Sequence, residues 1–198
     1  KIAFSRAINN GFGIETDVRD YFGSLVISHD IPLSGVQTFK EFLDCYLKDS
    51  ITQIEPPFLA INIKADGLQS KLKELLEEYK ITNYFVFDMT IPDTIIYLNS
   101  DINVFMRKSE YEDFPESISN INGIWLDQFN SDWYTEEFLN MQLYRWNYVC
   151  VVSPELHGRK YNNCWKLLKK GSEKENNKLM LCTDYPKQAK EYFGEKFD

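Results

Sequence analysis

The stretch GIETDVRDYFGSLVISHD, residues 13–30, places two acids on one apolar strand and ends in His-Asp. Successive side chains of a strand point to opposite faces, so Glu15 and Asp17 must share one face. Gly23 indicates a turn, after which a short strand returns and brings His29 beside the same edge. The stretch therefore predicts a strand, a turn and a return strand with polar side chains at one edge.

Two carboxylates that lie side by side repel each other unless a positive group lies between them. A hard divalent cation such as Mg²⁺ or Ca²⁺ is one solution, because oxygen ligands suit it. A salt-bridge layer with Arg19 or Lys64 is the other. His29, one of only two histidines, is a candidate general acid or base. The alternative for His29 is a structural loop position followed by Asp30 as a turn cap.

Composition limits the classes of protein that fit. The chain has 198 residues, 43% of them hydrophobic, with a net charge of −8, which predicts a single globular domain, residues 1–198. The negative charge argues against a nucleic-acid partner and against attraction to anionic lipid. No apolar run has the length of a membrane span. Four scattered cysteines indicate a reduced, cytoplasmic protein, and no pattern indicates its oligomeric state.

Short apolar runs alternate with helical patterns along the chain, which favours a parallel sheet covered on both faces. The predicted strands are 12–18, 58–64, 84–88, 102–107, 123–129, 148–153 and 178–184. The predicted helices are 70–80, 92–99, 135–146, 162–170 and 186–197, and the polar stretch 169–178 reads as a loop.

The number of units favours a closed barrel over a doubly wound sheet. Seven βα units follow an opening helix that ends at Gly11, and a helix in this rhythm needs a strand before it. We therefore predict an α/β fold of the TIM (β/α)8-barrel class whose first strand is either lacking or lies before Lys1. Catalytic residues of such barrels lie at the carboxyl ends of the strands. Polar residues at those ends are Glu15, Asp17, Asn62, Lys64, Asp88, Arg107, Asp127, Glu155 and Asp184.

The strand–turn–strand stretch and three later segments resemble the glycerophosphodiester phosphodiesterase family. The family signature has an E-x-D-V strand followed by a turn and a strand that ends in His-Asp, as in ETDV and SHD here. VQTFKEFL (36–43) resembles the helix before the family's third strand, and LAINIK (59–64) resembles that strand. LCTDYPKQAKEYF (181–193) resembles the closing strand and last helix. The resemblance spans nearly the whole chain.

The resemblance implies a metal-dependent phosphodiesterase acting on a small or polymer-linked glycerophosphodiester. Glu15 and Asp17, with Asn62, would ligate a divalent metal, Mg²⁺ or Ca²⁺. His29 would protonate the departing alcohol oxygen, and Lys64 would contact the phosphate. In the family, a hydroxyl of the substrate attacks phosphorus first and gives a cyclic phosphate that water opens.

Three features depart from the family pattern. The first strand of the family ends in His-Arg, which would have to lie before Lys1. Asn62 replaces the carboxylate of the third strand, which removes a negative charge from the metal site; Asp88 is positioned to compensate. The segment between His29 and the third strand is short, so an insertion that many members carry there is missing.

Other polar residues have two interpretations each. Arg107 could bind an anionic group of the substrate or pair with Glu110, and Trp125 could stack on the substrate or fill the core. His157 suggests substrate recognition at the mouth, or a turn made by its neighbours. Two other functions stay open. One is a glycosidase-like barrel that uses the carboxylates Asp88, Asp127 or Glu155. The other is a non-catalytic relative that binds an anionic ligand.

Overall fold

The computed structural model describes residues 2–51, 55–171 and 176–194. The chain divides into two compact units, Lys1–Val104 and Phe105–Asp198. Each unit holds one four-stranded sheet with helices between its strands. No helix in the described ranges is long and apolar enough to cross a membrane.

Within its described residues, the first unit contains four strands and four helices. They are α1 (Ile2–Asn9), β1 (Ile14–Tyr21), β2 (Ser24–Ile27), α2 (Phe39–Ser50), β3 (Leu59–Ile63), α3 (Gln69–Glu78), β4 (Tyr84–Phe87) and α4 (Ile91–Leu98). The sheet order is β2-β1-β3-β4, with β1, β3 and β4 parallel and β2 antiparallel at the edge. Beyond β4, Val104 forms a parallel bridge with Val86.

The hairpin between β1 and β2 confirms the predicted turn and return strand. Tyr21 pairs with Ser24, so the loop consists of two residues, Phe22 and Gly23, with φ of 45° and 79°. Two successive positive φ angles define the tight turn that matches the twist of a hairpin, and glycine takes such an angle without steric cost. This turn fixes the register that brings the segment after β2 back along β1.

The alternation of β1 also holds. Ile14, Thr16 and Val18 are at most 5% exposed, and they form the buried face, whereas Glu15 and Asp17 lie on the other face, with Glu15 exposed and Asp17 half-buried. The polar face of β1 is therefore the one predicted from the sequence.

The helix expected from the segment 36–43, before the third strand of the resemblance, is present as α2, which begins at Phe39 and continues to Ser50. Thr38 caps the helix: its hydroxyl accepts a hydrogen bond from the Glu41 amide, and the Glu41 carboxylate accepts one from the Thr38 amide. This reciprocal pair is a capping box, whose signature is a Thr followed three residues later by a Glu. Val36 and Gln37 precede the cap and are not helical.

The described part of the second unit contains four strands and three α-helices. They are β5 (Phe105–Lys108), β6 (Gly123–Leu126), α5 (Glu136–Arg145), β7 (Tyr148–Val152), α6 (Asn162–Gly171), β8 (Leu179–Cys182) and α7 (Pro186–Phe193). All four strands are parallel, in the order β5-β6-β7-β8. At Gly123 a Cβ atom would lie 2.5 Å from the Tyr148 carbonyl oxygen and 2.8 Å from the Phe105 ring, so only glycine fits this approach.

Each of the seven predicted strand regions contains a parallel strand. Three ends differ most, each by three residues. β1 runs to Tyr21 rather than residue 18, β5 starts at Phe105 rather than 102, and β6 ends at Leu126 rather than 129. The predicted loop 169–178 is partly helical, since α6 continues to Gly171 and a 3-10 helix covers Asn176–Lys178. Residues 172–175 of that loop and 195–197 of the last predicted helix lie outside the described residues.

Candidate active site

Polar side chains from three parallel strands meet in the first unit where the strands end. Asp17 of β1 lies opposite Asn62 of β3 in the parallel register, and Glu15 is two residues away on the same face of β1. Lys64 follows β3 directly and Asp88 follows β4 directly. We call Glu15, Asp17, Asn62, Lys64 and Asp88 the first-unit cluster. It contains both predicted carboxylate ligands, the predicted amide ligand and the predicted phosphate-binding lysine.

Lys64 joins the carboxylates of β1 and β4. Its Nζ lies 3.1 Å from Oδ2 of Asp88 and 3.5 Å from Oδ1 of Asp17. All three side chains are at most 24% exposed. Asp88 has a φ of 77°, a conformation that is costly for a residue with a side chain and is concentrated at functional sites. The salt-bridge alternative for the two acids of β1 therefore holds in part, through Lys64.

The pKa of Glu15 is higher than that of an ordinary glutamate. Desolvation and the charges of Asp17 and Asp88 raise its pKa to about 7, against the opposing effects of a hydrogen bond from Asn62 and the charge of Lys64. Glu15 is still accessible to solvent, which moderates the cost of its charge. Raised carboxylate pKa values of this origin are typical of functional sites, where like charges are held together.

The donor set fits a hard divalent cation. Asn62 donates a hydrogen bond to Glu15 through its amide, while its Oδ1 is buried and has no hydrogen-bond partner within the described ranges. A buried acceptor without a donor is costly unless another group satisfies it. With Glu15 and Asp17 it makes a set of two carboxylates and one amide oxygen, all ligands that Mg²⁺ and Ca²⁺ accept. Among the described residues, no group of three or more His, Cys, Asp or Glu is placed to hold a metal, so the amide would be essential to the set.

His29 lies just past β2 on the segment that returns along β1. The Ser28 amide donates to the Asp17 carbonyl oxygen at 3.2 Å, and Arg19 Nη1 donates to the His29 carbonyl oxygen at 3.2 Å. The imidazole is 70% exposed, and its Nδ1 lies 2.9 Å from Oδ1 of Asp30. Its Nε2 makes no hydrogen bond with the rest of the described chain. His29 therefore makes no direct contact with the carboxylates of the first-unit cluster in this conformation.

Arg107 and Trp125, the predicted substrate-binding residues, are both in the second unit, in register with each other on β5 and β6. Arg107 Nε donates to Glu112, a partner that the sequence did not suggest. Glu110 instead accepts hydrogen bonds from the backbone amides of residues 129–131. Trp125 is 5% exposed, which suits the core-packing alternative. Their roles in substrate binding stay predictions.

A second group of polar residues lies at the carboxyl ends of β6, β7 and β8. Nε2 of His157 lies 2.6 Å from Oδ1 of Asp127, a residue only 4% exposed. The Glu155 carboxylate accepts hydrogen bonds from the hydroxyls of Ser153 and Thr183. We call these five residues the second-unit cluster. The pairing of Asp127 with His157 was not predicted, although both follow neighbouring strands of a parallel sheet.

Comparisons with known proteins identify the fold. No protein-family model matches the chain, and no curated protein sequence matches it. A solved glycerophosphodiester phosphodiesterase from Parabacteroides distasonis is similar in structure, with a TM-score of 0.67 and 12% identity over 100% of this chain and 90% of that one. A second, from Agrobacterium tumefaciens, has a TM-score of 0.60 and 10% identity over 91% of this chain and 87% of that one.

At such low identity the likeness is one of fold. For the Parabacteroides distasonis protein it extends over the full length of this chain. The predicted fold class is therefore confirmed: the chain has the α/β fold of the TIM-barrel class seen in these glycerophosphodiester phosphodiesterases.

Proposed function

We propose that this protein is a metal-dependent phosphodiesterase that hydrolyses a glycerophosphodiester-like substrate, either small or polymer-linked. The observation that carries the proposal is the first-unit cluster: two crowded carboxylates and an unsatisfied buried amide oxygen beside a lysine. The fold shared with solved glycerophosphodiester phosphodiesterases supports the same reaction class.

Glu15, Asp17 and Asn62 would hold the cation through oxygen ligands, Mg²⁺ or Ca²⁺ being the candidates. Once bound, such an ion supplies Lewis-acid polarisation of a non-bridging phosphate oxygen. The raised pKa of Glu15 has a direct consequence. A ligand must be deprotonated, so part of the Glu15 population has to release a proton before the site is complete at neutral pH.

Lys64 would contact the phosphate and offset charge that develops on its oxygens. Its Nζ is already held by Asp17 and Asp88, so the ammonium has a fixed position before substrate arrives. Preorganised charge of this kind costs no reorganisation during the reaction.

His29 would donate a proton to the departing alcohol oxygen. Its Nδ1 faces Asp30, which leaves Nε2 as the atom that reaches the substrate. A carboxylate on one ring nitrogen fixes the tautomer with which the other nitrogen acts. The exposed position of the imidazole leaves room for an alcohol of considerable size.

Turnover of two substrates tests the proposal. Bis(p-nitrophenyl) phosphate and glycerophosphocholine should be hydrolysed only with Mg²⁺ or Ca²⁺ present, and His29→Ala should lose most of that activity. Lys64→Ala should lose activity as well, whereas Lys40→Ala is a matched control, because Lys40 pairs with Glu78 on an exposed surface. Hydrolysis that persists in chelator, or that survives His29→Ala unchanged, would overturn the proposal.

A non-catalytic relative that binds an anionic ligand is the second candidate. The observation in its favour is Asn62 itself, which supplies one negative charge fewer than the family's carboxylate and weakens the hold on a cation. Binding of phosphate and metal without turnover of either substrate would favour this candidate.

A further inference from the structure

Arg19 lies two residues beyond Asp17 on the same face of β1, yet the proposed function gives it no part. Its Nη1 donates to the His29 carbonyl oxygen at 3.2 Å. Within the described ranges, Arg19 makes no other hydrogen bond and no ion pair, and its Nε is buried without a partner. A half-buried guanidinium with an unsatisfied donor costs free energy unless an acceptor arrives.

The sheet places Arg19 beside Lys64. Val18 pairs with Ile63 at the end of β3, and the Lys64 amide donates to the Val18 carbonyl oxygen at 2.9 Å. The next residues along the two strands are Arg19 and Lys64, which are therefore neighbours on one face. Like charges in adjacent strand positions are destabilising when nothing offsets them.

The two cations differ in how they are neutralised. Lys64 contacts the carboxylates of Asp17 and Asp88, whereas the one hydrogen-bond acceptor of Arg19 among the described residues is a carbonyl oxygen. The chain as a whole carries a net charge of −8, so carboxylates are plentiful elsewhere. An unneutralised arginine next to a fixed lysine is the arrangement that an anionic ligand would complete.

We propose that Arg19 and Lys64 together form the subsite for the phosphate group, with Arg19 as a substrate-binding residue; this inference rests on the proposed function. The ligand class is a phosphate monoanion, either free phosphate or the phosphodiester of the substrate. With one Nη1 N–H held by the His29 carbonyl and Nε buried, the remaining N–H groups of Nη1 and Nη2 would bind two phosphate oxygens at once. Such a two-point contact is specific to arginine.

The same guanidinium holds the backbone of His29, so phosphate binding and placement of the imidazole are linked through one side chain. A purely structural role of Arg19 predicts a different result. If Arg19 only anchored the segment after β2, its loss would lower stability and leave phosphate affinity unchanged.

The test measures inorganic phosphate binding to the full chain by calorimetry, without metal, for the wild type and three variants. Arg19→Gln should weaken binding at least tenfold, roughly the loss of one charged hydrogen bond. Arg19→Lys should recover only part of the affinity, because lysine lacks the two-point contact. Arg6→Gln is the control: Arg6 is exposed in the last turn of α1, and its loss should change affinity less than twofold.

Phosphate affinity within twofold of wild type in Arg19→Gln would overturn the inference, as would a wild type that does not bind phosphate at tens of millimolar. Arg19→Lys keeps the charge and serves if Arg19→Gln does not fold. The wild-type turnover assay separates the two proposals. Phosphate binding that depends on Arg19 without any turnover defeats the proposed function alone. Turnover with an unchanged KM in Arg19→Gln defeats the inference alone.

Discussion

The first-unit and second-unit clusters occupy equivalent places, the carboxyl ends of parallel strands, but they differ in how their polar atoms are satisfied. In the second-unit cluster, Asp127 pairs with His157 at 2.6 Å and Glu155 accepts from two hydroxyls. In the first-unit cluster, Asn62 keeps a buried oxygen without a partner among the described residues, and the pKa of Glu15 is raised beside a like charge. One cluster is completed by its own side chains, and the other is not.

The difference teaches that position at a strand end is not enough to define an active site. Folding favours groups that satisfy one another, so a cluster that stays crowded and incomplete is maintained at a cost in stability. We infer that a ligand of the first-unit cluster offsets this cost. Substitutions in the two clusters should therefore affect turnover and stability in opposite ways.

The largest effect is expected for Asp17→Asn. Loss of a ligand carboxylate should lower kcat/KM for bis(p-nitrophenyl) phosphate by about a thousandfold, comparable to removal of one catalytic group. Stability should change by less than about 1 kcal/mol, because Lys64 keeps its contact with Asp88 and a like-charge repulsion is relieved. Kinetics and urea unfolding on the same preparations measure both quantities. A large loss of stability with little loss of turnover would reverse the assignment of the two clusters.

Asp127→Ala should have the opposite effects, a large loss of stability and little loss of turnover. The carboxylate is buried and hydrogen-bonded to His157, and its removal should lower the free energy of unfolding by about 3 kcal/mol, because the His157 ring nitrogen loses its buried partner. Urea unfolding monitored by tryptophan fluorescence measures this change. A stability equal to that of the wild type would show that the second-unit cluster is not held together by this pair.

Asn62→Asp tests the first-unit cluster by adding a carboxylate instead of removing one. A third carboxylate should raise Ca²⁺ affinity by about tenfold, since ligand charge is a main determinant of affinity for hard cations. Without metal the added charge should lower stability. Calorimetric titration and unfolding with and without Ca²⁺ report the two effects, and an affinity that falls or stays the same would argue against a ligand at this position.

A smaller effect concerns pH. The pKa of Glu15 is raised from 4.5 to about 7 in the folded chain, so below pH 4.5 the group is protonated in both states and the stabilisation is complete. As pH rises through about 7 the folded chain loses that proton and the stabilisation disappears. Glu15→Gln should therefore show a flatter decline in stability between pH 5 and 8 than wild type in urea unfolding. Parallel curves for the two proteins would contradict the assigned pKa.

Much of the fold could be predicted from the sequence, because period-2 and helical patterns identify buried strands and their helices. The hairpin was also predictable from a local signal, the turn indicated by Gly23. The bounds of α2 were missed, although the capping signature of Thr38 and Glu41 was present in the sequence. The division into two compact units depends on contacts between distant residues and has no local signal.

The site residues on regular strands could likewise be predicted from local patterns. Strand alternation placed Glu15 and Asp17 on one face, and the parallel register brought them to Asn62 and Lys64. Loop side chains could not be placed in this way. Arg107 pairs with Glu112, and His157 pairs with Asp127. Both pairings depend on loop conformation, which cannot be deduced from the spacing of residues along the chain.

Calorimetric titration of Ca²⁺ into the wild type and into Glu15→Gln/Asp17→Asn tests the central claim most directly. We expect one cation per chain in the wild type and none in the double variant, with both proteins equally folded by circular dichroism. A wild type that takes up no cation at millimolar concentration, or a double variant that binds as well as wild type, would contradict the claim that the first-unit cluster is a metal site.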